Sequence, residues 1–156
     1  MTPRPLLNAP APGPAFRLTV GALALAAMAA GAPPGVTVQG AWMRMIIASR
    51  PAAGYFTLTN DSATALSLVA ASSPGCGTLM LHKSMTMNGQ DMMVMEKSVP
   101  LPAHGKVVFA PGGYHLMCMQ PGPAVKPGAT VPVTLRFSNG KAITARFPVL
   151  DAMGKK

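Results

Sequence analysis

Two Asn-Gly dipeptides, each placed between runs of extended character, set the strongest constraint on how this chain folds. Asn139-Gly140 lies between the runs 131–137 and 142–149, where apolar and polar residues alternate, and Asn88-Gly89 lies between 79–87 and 90–95. Asn-Gly is the favoured two-residue turn of a β-hairpin, because both residues tolerate a positive φ. The sequence therefore predicts two antiparallel hairpins.

Short extended stretches also recur along the rest of the chain, with turn-forming residues between them. The 17 prolines and 16 glycines favour many short strands. No long apolar stripe of helical period follows the first thirty-odd residues. We predict an all-β fold, a β-sandwich. Its strands are expected at 36–45, 54–59, 66–71, 78–87, 92–97, 106–109, 114–119, 131–137 and 142–149.

The beginning of the chain has the pattern of an export signal. Arg4 and Arg17 precede the mostly apolar segment 18–32, and no acidic residue occurs before Asp61. This segment is shorter than the roughly 20 apolar residues that cross a bilayer. An uncleaved anchor is the alternative, and the cleavage point stays open. We predict a signal peptide at 1–32, one domain at 36–150 and a short tail at 151–156.

The formal net charge of +9 raises nucleic acid as a candidate partner, because basic clusters neutralise phosphates. The basic residues are scattered singly, however, and aromatic residues make up only 5% of the chain. We therefore expect no nucleic-acid partner and no stable membrane insertion after signal removal. An acidic protein partner stays open.

Two cysteines, Cys76 and Cys118, are the full complement of thiols in the chain. An exported protein can join such a pair in a disulfide, because its compartment is oxidising. Single cysteines are equally at home in an apolar core. The sequence leaves both possibilities open.

The Asn88-Gly89 turn fixes a hairpin register. If Met87 pairs with Gln90, His82 lies opposite Met95 and Ser84 lies opposite Met93. Paired residues share a face of the sheet, so His82 and Met93 become diagonal neighbours. A slip of one residue would put them on opposite faces.

A second imidazole and thioether lie in the run 114–119. His115 and Met117 alternate and therefore share one face, together with Met119, whereas Cys118 points to the other face. Local rules do not decide whether this pair meets His82 and Met93.

Two histidines and two methionines are a soft ligand set. Thioether sulfur selects Cu(I), whereas zinc, magnesium and calcium prefer thiolate, more imidazole or carboxylate. Methionine also fills irregular cores, and we assign Met28, Met43, Met45 and Met80 to that role. In the expected register Met85, Met87 and Met92 fall on the face opposite Met93, where they are either core or an exposed sulfur-rich patch. His104 is expected to be a turn residue.

Catalytic motifs are missing from the sequence. Four scattered carboxylates and no Gly-x-Ser-x-Gly elbow give no nucleophile with its base and orienting acid. Phosphate-binding loops of the Walker or Rossmann type are also missing. We predict that the protein is not an enzyme.

The pattern of these residues resembles the periplasmic copper-A chaperones, the PCuAC family. The family signature is a His, ten residues, a Met, twenty-one residues and then His-x-Met, and His82, Met93 and the pair His115 and Met117 stand at those positions. The resemblance extends over about 36–149. It includes Trp42, the strand 55–60, Leu101-Pro-Ala103 and the loop 111–115.

The resemblance implies a cupredoxin-like, immunoglobulin-like β-sandwich that binds one Cu(I) and delivers it in the periplasm of a Gram-negative type of cell. Its ligands would be His82, Met93, His115 and Met117, with Met85 and the other hairpin sulfurs as auxiliaries. The acceptor would be a copper protein, such as the copper centre of cytochrome c oxidase or another copper chaperone. Two residues depart from the pattern, Lys83 after the first ligand and Cys118 beside the last.

Two alternatives belong to other classes of protein. An electron-transfer cupredoxin needs a cysteine thiolate with two histidines and a weak axial methionine, and Cys118 makes this worth testing. The other alternative is an exported β-sandwich that binds protein partners and uses no metal.

Overall fold

The computed structural model describes residues 31–156, and every regular element in that range is a β-strand. The signal peptide expected at 1–32 lies almost entirely outside the described residues. Within 31–156 there is no helix with the length and apolar character that a membrane span requires. The predicted all-β class is confirmed.

Ten strands follow one another within residues 31–156. They are β1 (Val36–Arg44), β2 (Ala52–Asn60), β3 (Leu66–Ser72), β4 (Cys76–Met87), β5 (Gln90–Met95), β6 (Val99–Leu101), β7 (Gly105–Phe109), β8 (Tyr114–Pro121), β9 (Thr130–Phe137) and β10 (Ala142–Leu150). Each of the nine predicted ranges overlaps one of them. The strand that the sequence did not reveal is β6, whose central Pro100 cannot donate to a ladder; it lies at an edge, where proline is tolerated.

The strands form two sheets with one short junction. The first has the order β5-β4-β8-β7-β2-β1, in which β8 also pairs with β2, and the second has the order β10-β9-β3-β6. A parallel pairing of Met43 with Val149 and of Arg44 with Leu150 joins β1 to β10. This pairing joins the two sheets. Strands β5 and β6 are the edge strands at the two ends of the strand order.

The core consists of the side chains that alternate strands point inward. Phe56 of β2 stacks on Phe109 of β7 with ring centroids 4.3 Å apart, and it meets the edge of Phe147 of β10 at 5.6 Å. Strand β9 adds every second residue to this cluster, namely Val131, Val133, Leu135 and Phe137, all buried. Period-two burial of this kind is expected of a sheet with one covered face.

Both predicted hairpins form, but their turns differ. Asn88 and Gly89 have φ of 52° and 74°, and Met87 pairs with Gln90, as a two-residue turn requires. In the β9–β10 hairpin the loop has three residues, 138–140, because the Phe137 amide bonds to the Lys141 carbonyl at 2.9 Å. The predicted two-residue turn is therefore wrong there.

The cause of the longer turn is the neighbouring strand β3. The Ser138 amide donates to the Ser67 carbonyl at 2.9 Å, and the Ser138 hydroxyl accepts from the Ser67 amide at 3.1 Å. Ser138 thus belongs to the ladder with β3 and not to a tight turn. Gly140, with φ of 77°, takes the left-handed position that ends such a three-residue loop.

A disulfide joins Cys76, at the start of β4, to Cys118 in β8. Cys118 is fully buried and packs in the core cluster. The bond resolves the alternatives that the sequence left open, and it leaves neither cysteine with a free thiol. It also ties the strand that begins the methionine-rich hairpin to the middle of the first sheet.

Candidate metal centre

The two histidines of the predicted ligand set are direct cross-strand partners. Strand β8 pairs with β4 so that His115 lies opposite His82, and their ring centroids are 5.8 Å apart with the rings nearly perpendicular. Residues opposite each other in an antiparallel pair project to the same face. The structure therefore brings together two segments that sequence reasoning could place only separately.

His115 is held in one orientation by the loop before β8. Its Nδ1 lies 3.1 Å from the Gly113 carbonyl oxygen, which can only accept, so Nδ1 carries the proton and donates. The same carbonyl accepts the Ser84 amide of β4 at 3.0 Å. This arrangement leaves the lone pair of His115 Nε2 available, which is how ligating histidines are commonly oriented.

His82 presents a nitrogen without a partner. Its Nδ1 is buried and makes no hydrogen bond, a costly state for a polar atom unless a ligand fills it. Burial lowers the pKa of the His82 imidazole below 6.5, and the neighbouring His115 lowers it further. Neutral His82 is therefore favoured at neutral pH, and a neutral imidazole is the form that binds a metal.

The two predicted thioether ligands share the histidine face. Met117 lies opposite Met80, one alternate position along from the histidine pair, and Met93 lies opposite Ser84, diagonal to His82. The register expected from the Asn88-Gly89 turn, including His82 opposite Met95, is confirmed. Met93 is 54% exposed, so its side chain is open to solvent.

Aromatic residues of β1 and β2 close one side of the histidine pair. The Tyr55 ring lies 6.5 Å from the His115 ring, and Trp42 packs against Tyr55 at 4.7 Å. As a result His115 is only 4% exposed although it lies on the outer face of the sheet. Burial raises the pKa of the Tyr55 hydroxyl, opposed in part by the Arg44 charge, so this wall stays uncharged at neutral pH.

The donors on this face suit a soft, low-charge ion. Among residues 31–156, no three side chains of the types His, Cys, Asp and Glu come together as a ligand set, which leaves zinc, calcium and magnesium without their usual donors. Two imidazole nitrogens with nearby thioethers match the preference of Cu(I). In the described structure the Nδ1 of His82 has no hydrogen-bond partner, and the ring of His115 is oriented by Gly113.

The predictions for the other methionines are confirmed only in part. Met43 and Met45 are core residues, as expected. Met80 is not: it is half-buried on the histidine face opposite Met117. Met95 also lies on that face, opposite His82. Met80 has the same strand parity as His82, which is the signal that could have placed it on this face; Met95 was placed there by the hairpin register.

His104 is a turn residue, as predicted, with φ of 50°, and its amide donates to the Ser62 carbonyl at 3.1 Å.

Cys118 points away from the histidine face, and its sulfur is bonded to Cys76. The trigonal thiolate site of an electron-transfer cupredoxin therefore lacks its sulfur ligand.

Solved structures with this fold define the class of the protein. The copper-bound PCuAC domain from PmoF2 is 19% identical with a TM-score of 0.62, covering 75% of this chain and 93% of that domain. The solution structure of CuI-DR1885 from Deinococcus radiodurans is 29% identical with a TM-score of 0.62, covering 79% and 83%. Its apo form matches over 99% of both chains with a TM-score of 0.58. The fold is that of the PCuAC domains, so the predicted cupredoxin-like sandwich is confirmed.

A family model with the description "Putative lipoprotein LpqE-like" matches residues 36–149. The protein named "Putative lipoprotein Lxx21020" from Leifsonia xyli subsp. xyli is 36% identical over 121 residues, which is 77% of this chain and 72% of that protein. The chain belongs to the LpqE-like family, a family of the PCuAC type.

Proposed function

We propose that this protein is an exported, non-enzymatic copper metallochaperone that holds one Cu(I) ion through His82, Met93, His115 and Met117. The observation that carries the proposal is the direct pairing of His82 with His115, with ring centroids 5.8 Å apart. The names of two structural relatives, a copper-bound PCuAC domain and CuI-DR1885, support copper as the cargo.

Each ligand has a distinct role in this proposal. His115, fixed by the Gly113 carbonyl and shielded by Tyr55, is the anchor of the site. His82 supplies the second nitrogen, and binding compensates its buried, unpartnered Nδ1. Met117 completes the inner side of the site.

Met93, which is mostly solvent-exposed, is the ligand that a partner displaces first. Thioethers need no deprotonation, so exchange between donors involves no proton transfer at sulfur. Release therefore proceeds one ligand at a time, with the exposed edge of the sheet toward the acceptor.

The acceptor is an exported copper protein. Resemblance to the PCuAC chaperones points to the copper centre of cytochrome c oxidase or to another copper chaperone, and to the periplasm as the compartment. Kinship with a protein named as a lipoprotein supports export. The buried disulfide between Cys76 and Cys118 suits an oxidising compartment.

Anaerobic competition with a Cu(I) chelator tests the ligand set. His82→Ala and His115→Ala are each expected to weaken Cu(I) binding by more than about 100-fold, the upper end of what losing a supporting contact costs. The matched control is His104→Asn, because asparagine tolerates the positive φ at this turn. Unchanged affinity in both alanine variants would refute the assignment.

X-ray absorption of the Cu(I)-loaded protein counts the donors independently. We expect two nitrogen and two sulfur neighbours. A site with oxygen neighbours and no sulfur would contradict the proposal.

Transfer is tested separately by mixing the Cu(I)-loaded protein with a copper-free, soluble copper domain of cytochrome c oxidase. The expected result is metal in the acceptor fraction after separation. If the donor retains its copper although the acceptor is able to bind copper, this acceptor is ruled out, and the proposed binding site is not affected by that result.

A further inference from the structure

The reverse face of the β4–β5 hairpin carries three thioethers that the histidine centre does not use. Met85 lies directly opposite Met92, and Met87 is two residues further along β4, so all three project to one face. We call Met85, Met87 and Met92 the reverse-face cluster. It lies on the side of the hairpin opposite Met93.

Packing does not account for this cluster. On this face of β4 burial falls off toward the turn: Leu79 and Leu81 are buried in the core, Met85 is half-buried and Met87 is exposed. Met87 and Met92 are 50% and 45% exposed. The cluster is therefore open to solvent through Met87 and Met92.

The charged residues of strands β4 and β5 are Lys83 and Asp91. Lys83 shares this face, but its ammonium lies 5.0 Å from the centre of the Tyr114 ring, toward β8. Asp91 points to the histidine face, where its carboxylate accepts the Thr86 hydroxyl at 2.7 Å. On the reverse face itself, strand parity places the Gln90 amide opposite Met87 and the apolar Val94 opposite Lys83.

Cross-strand geometry lets these sulfurs converge. Directly opposite residues have Cβ atoms about 4.5–5.5 Å apart and diagonal ones about 7–8 Å, within the reach of two long, flexible side chains. Soft neutral sulfur selects Cu(I) and its congener Ag(I) over harder cations. We propose that the reverse-face cluster is a second site for a soft monovalent ion, Cu(I) or Ag(I), formed by three thioethers alone.

The proposed second site and the histidine centre lie on opposite faces of the same edge strand, β5. Strand β5 is the edge of its sheet, and Met92 and Met93 are consecutive residues on its opposite faces. An ion held by the reverse-face cluster therefore needs only to pass around one open edge to reach Met93. The cluster would act as a first capture point, and its formation does not depend on the histidines.

The decisive experiment uses Ag(I) as a redox-inert probe and methionine methyl resonances as the readout. In the variant His82→Ala/His115→Ala, added silver nitrate is expected to shift the methyl signals of Met85, Met87 and Met92 together. Met153, 78% exposed in the C-terminal tail, and Met43, fully buried, are internal controls that should not move. If the three cluster signals stay in place while silver binds elsewhere, the proposal is overturned.

A stoichiometry measurement gives an independent check. The variant Met85→Leu/Met87→Leu/Met92→Leu preserves side-chain volume and is expected to bind one Ag(I) fewer than the native protein. Met153→Leu is the matched control and should bind the native number. Equal stoichiometry in the triple variant and the native protein would overturn the second site while leaving the histidine centre untouched. If only the histidine centre failed to bind, the variant His82→Ala/His115→Ala would bind the native number of Ag(I) ions, and the triple methionine variant would still bind one fewer.

Discussion

The two Asn-Gly hairpins have similar turns in sequence and opposite uses in the fold. In β9, every second residue is buried in the core, whereas all six residues of β5 are exposed. The β9–β10 hairpin contributes to the core of the sandwich, and the β4–β5 hairpin presents methionine side chains to solvent. The difference shows that turn chemistry decides that a hairpin forms and that its place in the sheet decides what it does.

The contrast has a simple physical origin. Strand β9 lies between β10 and β3 in the second sheet, so its ladders are complete and one face is covered. Strand β5 is an edge strand with a partner on one side only. The methionines of β5 are therefore exposed to solvent and not held by core packing.

The largest expected effect tests whether stability comes from the core hairpin. Phe147→Ala removes a fully buried ring that contacts Phe56, and we expect it to lower the free energy of unfolding by about 3–5 kcal/mol. The counterpart on the exposed hairpin, Met95→Ala, should change it by less than about 0.5 kcal/mol. Urea denaturation of the two variants measures both. Equal losses would break the contrast between the hairpins.

The next effect concerns the covalent link that anchors the exposed hairpin. The double variant Cys76→Ala/Cys118→Ala opens a loop with a sequence separation of 42 residues, and a loss of about 2–4 kcal/mol in the free energy of unfolding is expected. The same denaturation experiment, run on non-reduced protein, provides the measurement. A variant as stable as the native protein would mean that the bond contributes nothing beyond the packing of the strands.

A smaller effect separates the two faces of β5. Met93→Leu removes a proposed ligand on the histidine face and should weaken Cu(I) binding at that site by about tenfold or more, which is about 1.4 kcal/mol. The neighbouring change Met92→Leu, on the reverse face, should leave that affinity as it is. Chelator competition on both variants decides the matter. The opposite ranking would mean that the register of the hairpin is shifted in solution.

The smallest effect follows from the depressed pKa of His82 in the folded protein. Because the unfolded chain takes up this proton more readily, the stability contribution is complete above about pH 6.5 and declines as the pH falls through the lower, folded-state value. Urea midpoints of the metal-free protein should therefore decrease between about pH 7.5 and 5.5. The variant His82→Gln should show a flatter profile, and identical profiles would contradict the assignment.

The parts of the fold that follow local rules were accessible from the sequence. The β4–β5 register followed from one two-residue turn, because each pairing after Met87 with Gln90 is fixed by counting. The alternation in β9 likewise gave its buried face. The Asn139-Gly140 turn was misjudged because Ser138 is held by Ser67 of β3, a residue distant in sequence.

The central feature of the candidate site was beyond such counting. The pairing of His82 with His115 and the bond between Cys76 and Cys118 both depend on β8 lying beside β4, which is a long-range choice made by the whole core. Met80 was assigned to the core for the same reason, since its partner Met117 was unknown. Strand β6 was not predicted because its three residues, with a proline in the middle, are too few to show an alternation of apolar and polar side chains.

The full exposure of β5 also bears on how proteins of this type diversify. A segment that contributes no buried side chain tolerates most substitutions at little cost to folding. Mutation can therefore add, remove or exchange its sulfur donors while the scaffold persists. Changes in metal preference among descendants of this chain should begin in these six residues.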